Sequence, residues 1–107
     1  MSYKVSLTQS ALNDLYAIND YYLAQVSDKI AGNVINNIQA SIQSLKDLPE
    51  RGTIPTELSA TGMTRYRQIL SSVYRIIYRI EDKNIYIVMV IDGRRDVVTA
   101  LTRRQLM

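Results

Sequence analysis

The feature that most constrains this chain is a change of hydrophobic period partway along it. Before about residue 45 the apolar residues recur every three or four positions, and from Thr64 to Ile91 they recur at every second one. A period of 3.6 is one face of a helix and a period of 2 is one face of a strand. The chain must therefore place helices first and strands after, and bury the two kinds of element against each other.

The helical part reads as two segments. Leu12, Leu15, Ile18, Tyr22 and Val26 form one stripe, with Thr8 placed to cap its start, so a helix is expected from Gln9 to about Val26. Ser27 and Asp28 break and re-cap the chain. Ile30, Val34, Ile38, Ile42 and Leu45 form the second stripe, and Pro49 closes it with the turn Pro49–Gly52. Two helices on so short a link make an antiparallel hairpin. A short strand, Tyr3–Leu7, precedes them, and a loop spans 53–63. Three strands follow at Thr64–Leu70, Val73–Glu81 and Asn84–Ile91, with tight connections at Ser71–Ser72 and Asp82–Lys83. The tail from Val97 to Gln105 suits a short helix. The expected fold is a single α+β domain over residues 1–107, of order β-α-α-β-β-β. Its helical hairpin should pack on one face of an antiparallel sheet, leaving the other face for chemistry.

Composition narrows what that chemistry can be. With 107 residues and 47% hydrophobic content the chain can build one core, and disorder is excluded. There is no cysteine and no histidine, so thiolate metal sites, disulfides and imidazole general bases are all unavailable. Asp92 and Asp96, four apart without further ligands, do not make a metal site, and neither metal nor cofactor is expected. No signal pattern and no bilayer-length apolar run is present, so a cytoplasmic protein is expected.

The charge is uneven. Residues 1–50 hold three lysines against five acids, a net of −2; residues 51–107 hold nine arginines and Lys83 against five acids, a net of +5. Arginine is planar, permanently charged and suited to bidentate contacts, so the second half points to an anionic partner. Arg65 and Arg67 share a side of their strand, and Arg75 and Arg79 share a side of theirs; with suitable register all four would lie on one sheet face. Arg94 and Arg95 follow the last strand. The alternative reading is a solvated face whose arginine stems cover apolar surface. Tyr74, Tyr78 and Tyr86 suit cross-strand packing. Arg103 and Arg104 read as a solvated tail.

The stretch YRIIYRIEDKNIYIVMVIDGRRD, residues 74–96, resembles the tyrosine–arginine strand and following strand of the RelE/ParE superfamily of type II toxin–antitoxin toxins. LTQSALNDLYAINDYYLAQ resembles that family's first helix and SIQSLKDLPERGT the end of its second, so the likeness covers nearly the whole chain. The resemblance implies a growth-inhibiting toxin neutralised by a cognate antitoxin with an acidic, partly disordered C-terminal segment. It implies one of two targets: messenger RNA in the ribosome, cut by RelE-like members, or DNA gyrase, poisoned by ParE-like members. A non-toxic interaction module of the same fold is a third reading. Positions matching the family motif are Arg75, Tyr78, Arg94 and Arg95. Attack by a 2′-hydroxyl needs a base, an acid and cations for the phosphoryl charge. Arg75 and Arg94 match phosphate-binding arginines, but DGRRDVVTALTRRQLM offers no tyrosine or histidine where one is expected. Tyr78 would serve as base only if the arginines lowered its pKa. This departure favours the ParE-like branch, and leans against an enzyme. Arg65, Arg67, Arg75, Arg79, Arg94 and Arg95 are then the expected contacts to target or antitoxin. No helix-turn-helix is present, so the chain alone is not expected to read DNA sequence.

Overall fold

The structure, a computed structural model, describes residues 2–106. The elements are β1 (Lys4–Leu7), α1 (Gln9–Gln25), α2 (Asp28–Ser44), α3 (Thr56–Ser59), β2 (Tyr66–Ser71), β3 (Tyr74–Glu81), β4 (Asn84–Asp92) and α4 (Val97–Arg103). The caps fall where side-chain chemistry places them. The hydroxyl of Thr8 accepts from Ala11 N and that of Ser27 from Ile30 N, and the Asp96 carboxylate accepts from Thr99 N. The α4 helix occupies the expected tail. The four-residue α3 lies inside the stretch read as loop; a single turn is too short to show a period.

The strands are ordered β1-β4-β3-β2. The pairs β2–β3 and β3–β4 are antiparallel with two-residue loops, and Ser72 and Asp82 open those loops at φ 53° and 56°. Strand β1 runs parallel to β4, so the sheet is mixed rather than antiparallel throughout. A parallel pair needs a long crossover, and the rest of the chain between β1 and β4 supplies it.

Each sheet face has its own core. On one face the α1–α2 hairpin packs Leu15, Ile18, Ile38 and Ile42 against Ile76, Tyr78, Ile85 and Ile87. On the other, α3 and α4 bring Leu58, Val97 and Leu101 onto Ile77, Met89 and Ile91. The second face is therefore half covered, which corrects the expectation of a free face. A bulge makes this possible. The register jumps from Ile77↔Met89 to Tyr78↔Ile87, leaving Val88 extra. Ile85 and Ile87 face the hairpin, and so does Val90 beyond the bulge. Past Leu7 strand β4 loses its β1 partner, and α1 covers the gap: Asp14 accepts from Val90 N at 2.9 Å and from Arg104 Nη1 at 2.7 Å. Arg104 is thus a tertiary staple, not part of a solvated tail.

Candidate functional site

Arg75 is the second residue of β3, on the face opposite the hairpin, and is 9% exposed. Its guanidinium is held on nearly every edge. Nε donates to Gln68 Oε1 at 2.7 Å, Nη1 to Glu57 Oε2 at 2.9 Å and to the Arg95 carbonyl at 3.1 Å, and Nη2 to Glu57 Oε1 at 2.8 Å. Glu57, brought in by α3, also accepts from Val97 N at 3.2 Å. The bidentate bond from Arg75 holds the Glu57 carboxyl at about 2, well below its ordinary value and against the opposing effect of burial. Arg75 is thus a cation already neutralised by an internal carboxylate. It ties β3, α3 and the start of α4 together.

Tyr78 faces the other way. It is buried in the hairpin-side core, where its hydroxyl donates to the Pro49 carbonyl at 2.8 Å and accepts from Gly52 N at 3.0 Å. Burial pushes its phenol up, and the nearby Arg67 and Arg51 do not reverse that. The condition on which Tyr78 could act as a base, a pKa lowered by arginines, is not met: on the far side of the sheet from Arg75, with a raised pKa, it is a pin for the Pro49–Gly52 turn. Tyr78→Phe should cost about 1–2 kcal/mol by leaving Gly52 N without its acceptor. Urea unfolding measures this, and an unchanged midpoint would refute the pin.

The four sheet arginines do not share a face. Arg67 is paired with Tyr78 and lies on the hairpin side, where Nη1 donates to the Gly52 carbonyl at 2.8 Å. Arg75 and Arg79 lie on the opposite side with Ile77. The reason is arithmetic. Any two-residue hairpin pairs an odd-numbered residue with an even-numbered one, and paired residues point to the same side. Odd-numbered arginines on both strands must therefore diverge, and that signal was present in the spacing. Arg65 is exposed beside Glu81. Arg94 is 91% exposed and donates from Nε and Nη2 to Asp92 at 3.0 and 3.2 Å, which lowers the Asp92 pKa and raises that of Arg94. The Arg95 side chain is exposed, while its carbonyl serves Arg75.

What the sequence did not point to is an apolar groove. An open cleft of about 1080 Å³ lies between α1 and the β2–β3 turn, walled by Tyr21, Tyr22, Leu70, Val73 and Tyr74, with Arg94 on its rim. Tyr21, Leu70 and Val73 are 59%, 62% and 57% exposed, unusual for large apolar groups so close together. Tyr74 and Tyr22 bring their hydroxyls within 3.3 Å, and burial followed by that contact raises the Tyr74 pKa. The chemistry of this cleft suits an amphipathic polypeptide with an acidic residue at the Arg94 end.

A two-helix hairpin on a four-stranded sheet is the fold this chain shares with solved ParE and RelE toxins. The sequence profile of the family described as ParE toxin of type II toxin–antitoxin system, parDE, matches residues 5–97, and the chain belongs to that family. No curated protein matches it. Among solved structures it is similar to a chain of the chromosomal ParDE system from P. aeruginosa, with TM-score 0.72 and 20% identity over 85% of this chain and 96% of that one. It is also similar to an arginine double mutant of E. coli RelE in the free state, with TM-score 0.67 and 16% identity over 100% of both chains. A third likeness is to a chain of the RelBE2 toxin–antitoxin complex from Mycobacterium tuberculosis, with TM-score 0.57, 22% identity, and 86% and 99% covered. At these identities the structural likenesses establish the fold.

Proposed function

We propose that this ParE-family toxin arrests growth by inhibiting DNA gyrase, not by cutting RNA, and that a cognate antitoxin neutralises it. The observation that carries this reading is the saturation of Arg75. Its hydrogen bonds to Glu57, Gln68 and the Arg95 carbonyl leave little of its fork to a scissile phosphate. The other candidate groups, Tyr78 on the far face and Arg94 paired with Asp92, supply no proton carrier beside it. Phosphoryl chemistry without a base or an acid lacks most of its rate enhancement. A protein-binding inhibitor needs only a surface, and the groove beside Tyr21, Leu70 and Val73 is one. In this reading an acidic antitoxin segment lies in the groove and meets Arg94 and Arg95 at its end, masking the toxin where it engages its target.

The test is pulse labelling after expression without antitoxin. Thymidine incorporation is expected to fall before amino-acid incorporation, and the purified toxin to block supercoiling by gyrase. An earlier fall in protein synthesis, with cleaved messenger, would overturn the reading in favour of the ribosome. Normal growth would leave only an interaction module.

A further inference from the structure

The two core-facing stripes of the hairpin run on past the end of the sheet. In α1 the stripe of Leu15, Ile18 and Tyr22 continues to Val26, and in α2 the stripe of Ile38 and Val34 continues back to Ile30. The sheet reaches only to Tyr22 and Val34. The Tyr22 hydroxyl lies 3.3 Å from that of Tyr74, the first residue of β3, and Val34 lines a small cleft with Ser72 and Tyr74 at the β2–β3 turn. Val26 and Ile30 lie one helical turn further out, about 6 Å along their helices. They are 54% and 39% exposed, although their spacing is that of core residues. Ser27 fixes this overhanging tip by accepting from Ile30 N at 3.1 Å.

The overhang adjoins the groove already described. Leu23, Val26 and Ile30 at the tip, with Tyr21, Leu70 and Val73 beside it, are six of the eight large apolar side chains exposed among the described residues. At roughly half exposure of side chains of about 150–200 Å² each, they present about 500 Å² of apolar surface. That is as large as the largest patch on an ordinary monomer. The surface is also close to neutral in a chain of net charge +3. From Tyr21 to Ser44 the charged residues are Asp28 and Lys29 alone, and Gln68–Tyr74 carries none. On the groove rim Arg94 is matched by Asp92.

We infer that the toxin, when free of antitoxin, forms a twofold dimer through this overhang and groove. A twofold contact sets the same surface on both sides, so it suits a patch that is apolar and carries its charges in opposite-sign pairs. Asp28 of one copy can then meet Lys29 of the other at the rim. Two such patches bury about 1,000 Å², the size at which an association is specific but weak. A nucleic acid or an acidic chain finds a single lysine on the tip, already beside an aspartate. In the proposed function an antitoxin segment covers the groove in the complex; the dimer covers it in the toxin alone, and hides the same surface from a target. The inference rests on this surface and is independent of which target the toxin has.

Sedimentation equilibrium on toxin separated from antitoxin is the measurement, from about 1 to about 200 µM. A monomer–dimer equilibrium is expected, with a Kd on the order of 10 µM. Val26→Asp and Leu70→Asp should each raise that Kd at least tenfold, because the twofold counts each loss twice. Val26→Ser trims the same side chain without adding charge and should also weaken the dimer severalfold. Leu48→Asp alters an equally exposed leucine outside the patch and should change the Kd less than twofold. The melting temperature of the wild type should rise with protein concentration and that of folded Val26→Asp should not. A monomer at every concentration would overturn the inference and leave the groove to the antitoxin or the target. So would equal effects of Leu48→Asp and Val26→Asp, or growth into larger species without a dimer plateau.

Discussion

Glu57→Ala is expected to lower the unfolding free energy by about 3–4 kcal/mol, the loss seen when one partner of a buried ion pair is removed. The effect is large because the partner left behind is the buried one. Arg75 is 9% exposed and would keep only Gln68 and the Arg95 carbonyl, while Val97 N would lose its acceptor. For a domain of this size the melting temperature should fall by about 15 °C. Arg75→Ala should cost less, because Glu57 is the more exposed member and can recruit water. The pair also sets an acid limb. The Glu57 carboxyl is held at about 2 against an ordinary 4.5. A depressed carboxylate contributes fully above its unfolded pKa and loses that contribution as pH falls through its folded one. Stability should therefore decline between about pH 5 and pH 2, by about 2 kcal/mol after allowing for solvent screening of a partly exposed group. Urea titrations at pH 7, 5 and 3 on the wild type and Glu57→Gln measure this. Parallel pH profiles in the two proteins would show that the Arg75–Glu57 pair is not the source.

Gly52→Ala is the second large effect. A Cβ there would lie 2.5 Å from Tyr78 Oη and 2.6 Å from the Gln68 carbonyl oxygen. Neither neighbour can yield cheaply. Tyr78 is packed in the core, and Gln68 is main chain of β2, bridged to Thr53 through N–H···O bonds of 3.0 and 2.7 Å. The turn must move away, breaking the Gly52 N bond to Tyr78 and the Arg67 bond to the Gly52 carbonyl. A cost of about 2–4 kcal/mol follows from overpacking plus the lost hydrogen bonds. Combined with Tyr78→Phe the losses should be less than additive, because removing the hydroxyl relieves the shortest of the three close contacts, leaving the Gln68 carbonyl oxygen at 2.6 Å and the ring Cε1 at 2.9 Å. Gly93→Ala is the comparison. Its nearest neighbour, the Val73 carbonyl oxygen, is at 3.0 Å in an exposed loop that can shift, so it should be milder. Equal effects at the two glycines would mean that the Tyr78 pin does not constrain the turn.

Much of this fold is local and was legible in the chain. The two helical stripes, the caps at Thr8 and Ser27, the tight connections of the last three strands and the C-terminal helix all follow from residues within a few positions of one another. The hairpin parity that separates Arg67 from Arg75 was legible too, though reading it requires counting across the loop and not along one strand. The bulge at Val88 was not legible, because an unbroken apolar run from Ile87 to Ile91 carries no alternation to interrupt.

Local spacing and composition set the order and kind of the elements, the basic second half and the family likeness that follows from them. Tertiary structure alone decided which arginines are free. Arg75 meets a carboxylate eighteen positions away on a one-turn helix, and Arg104 meets one ninety positions away. Arg79 lies over the ring of Tyr86 and approaches Glu81 at 3.4 Å. Charge is a property of the residue, but its availability depends on which acceptors the packed chain brings within about 3 Å, and contacts between distant segments leave no trace in local spacing.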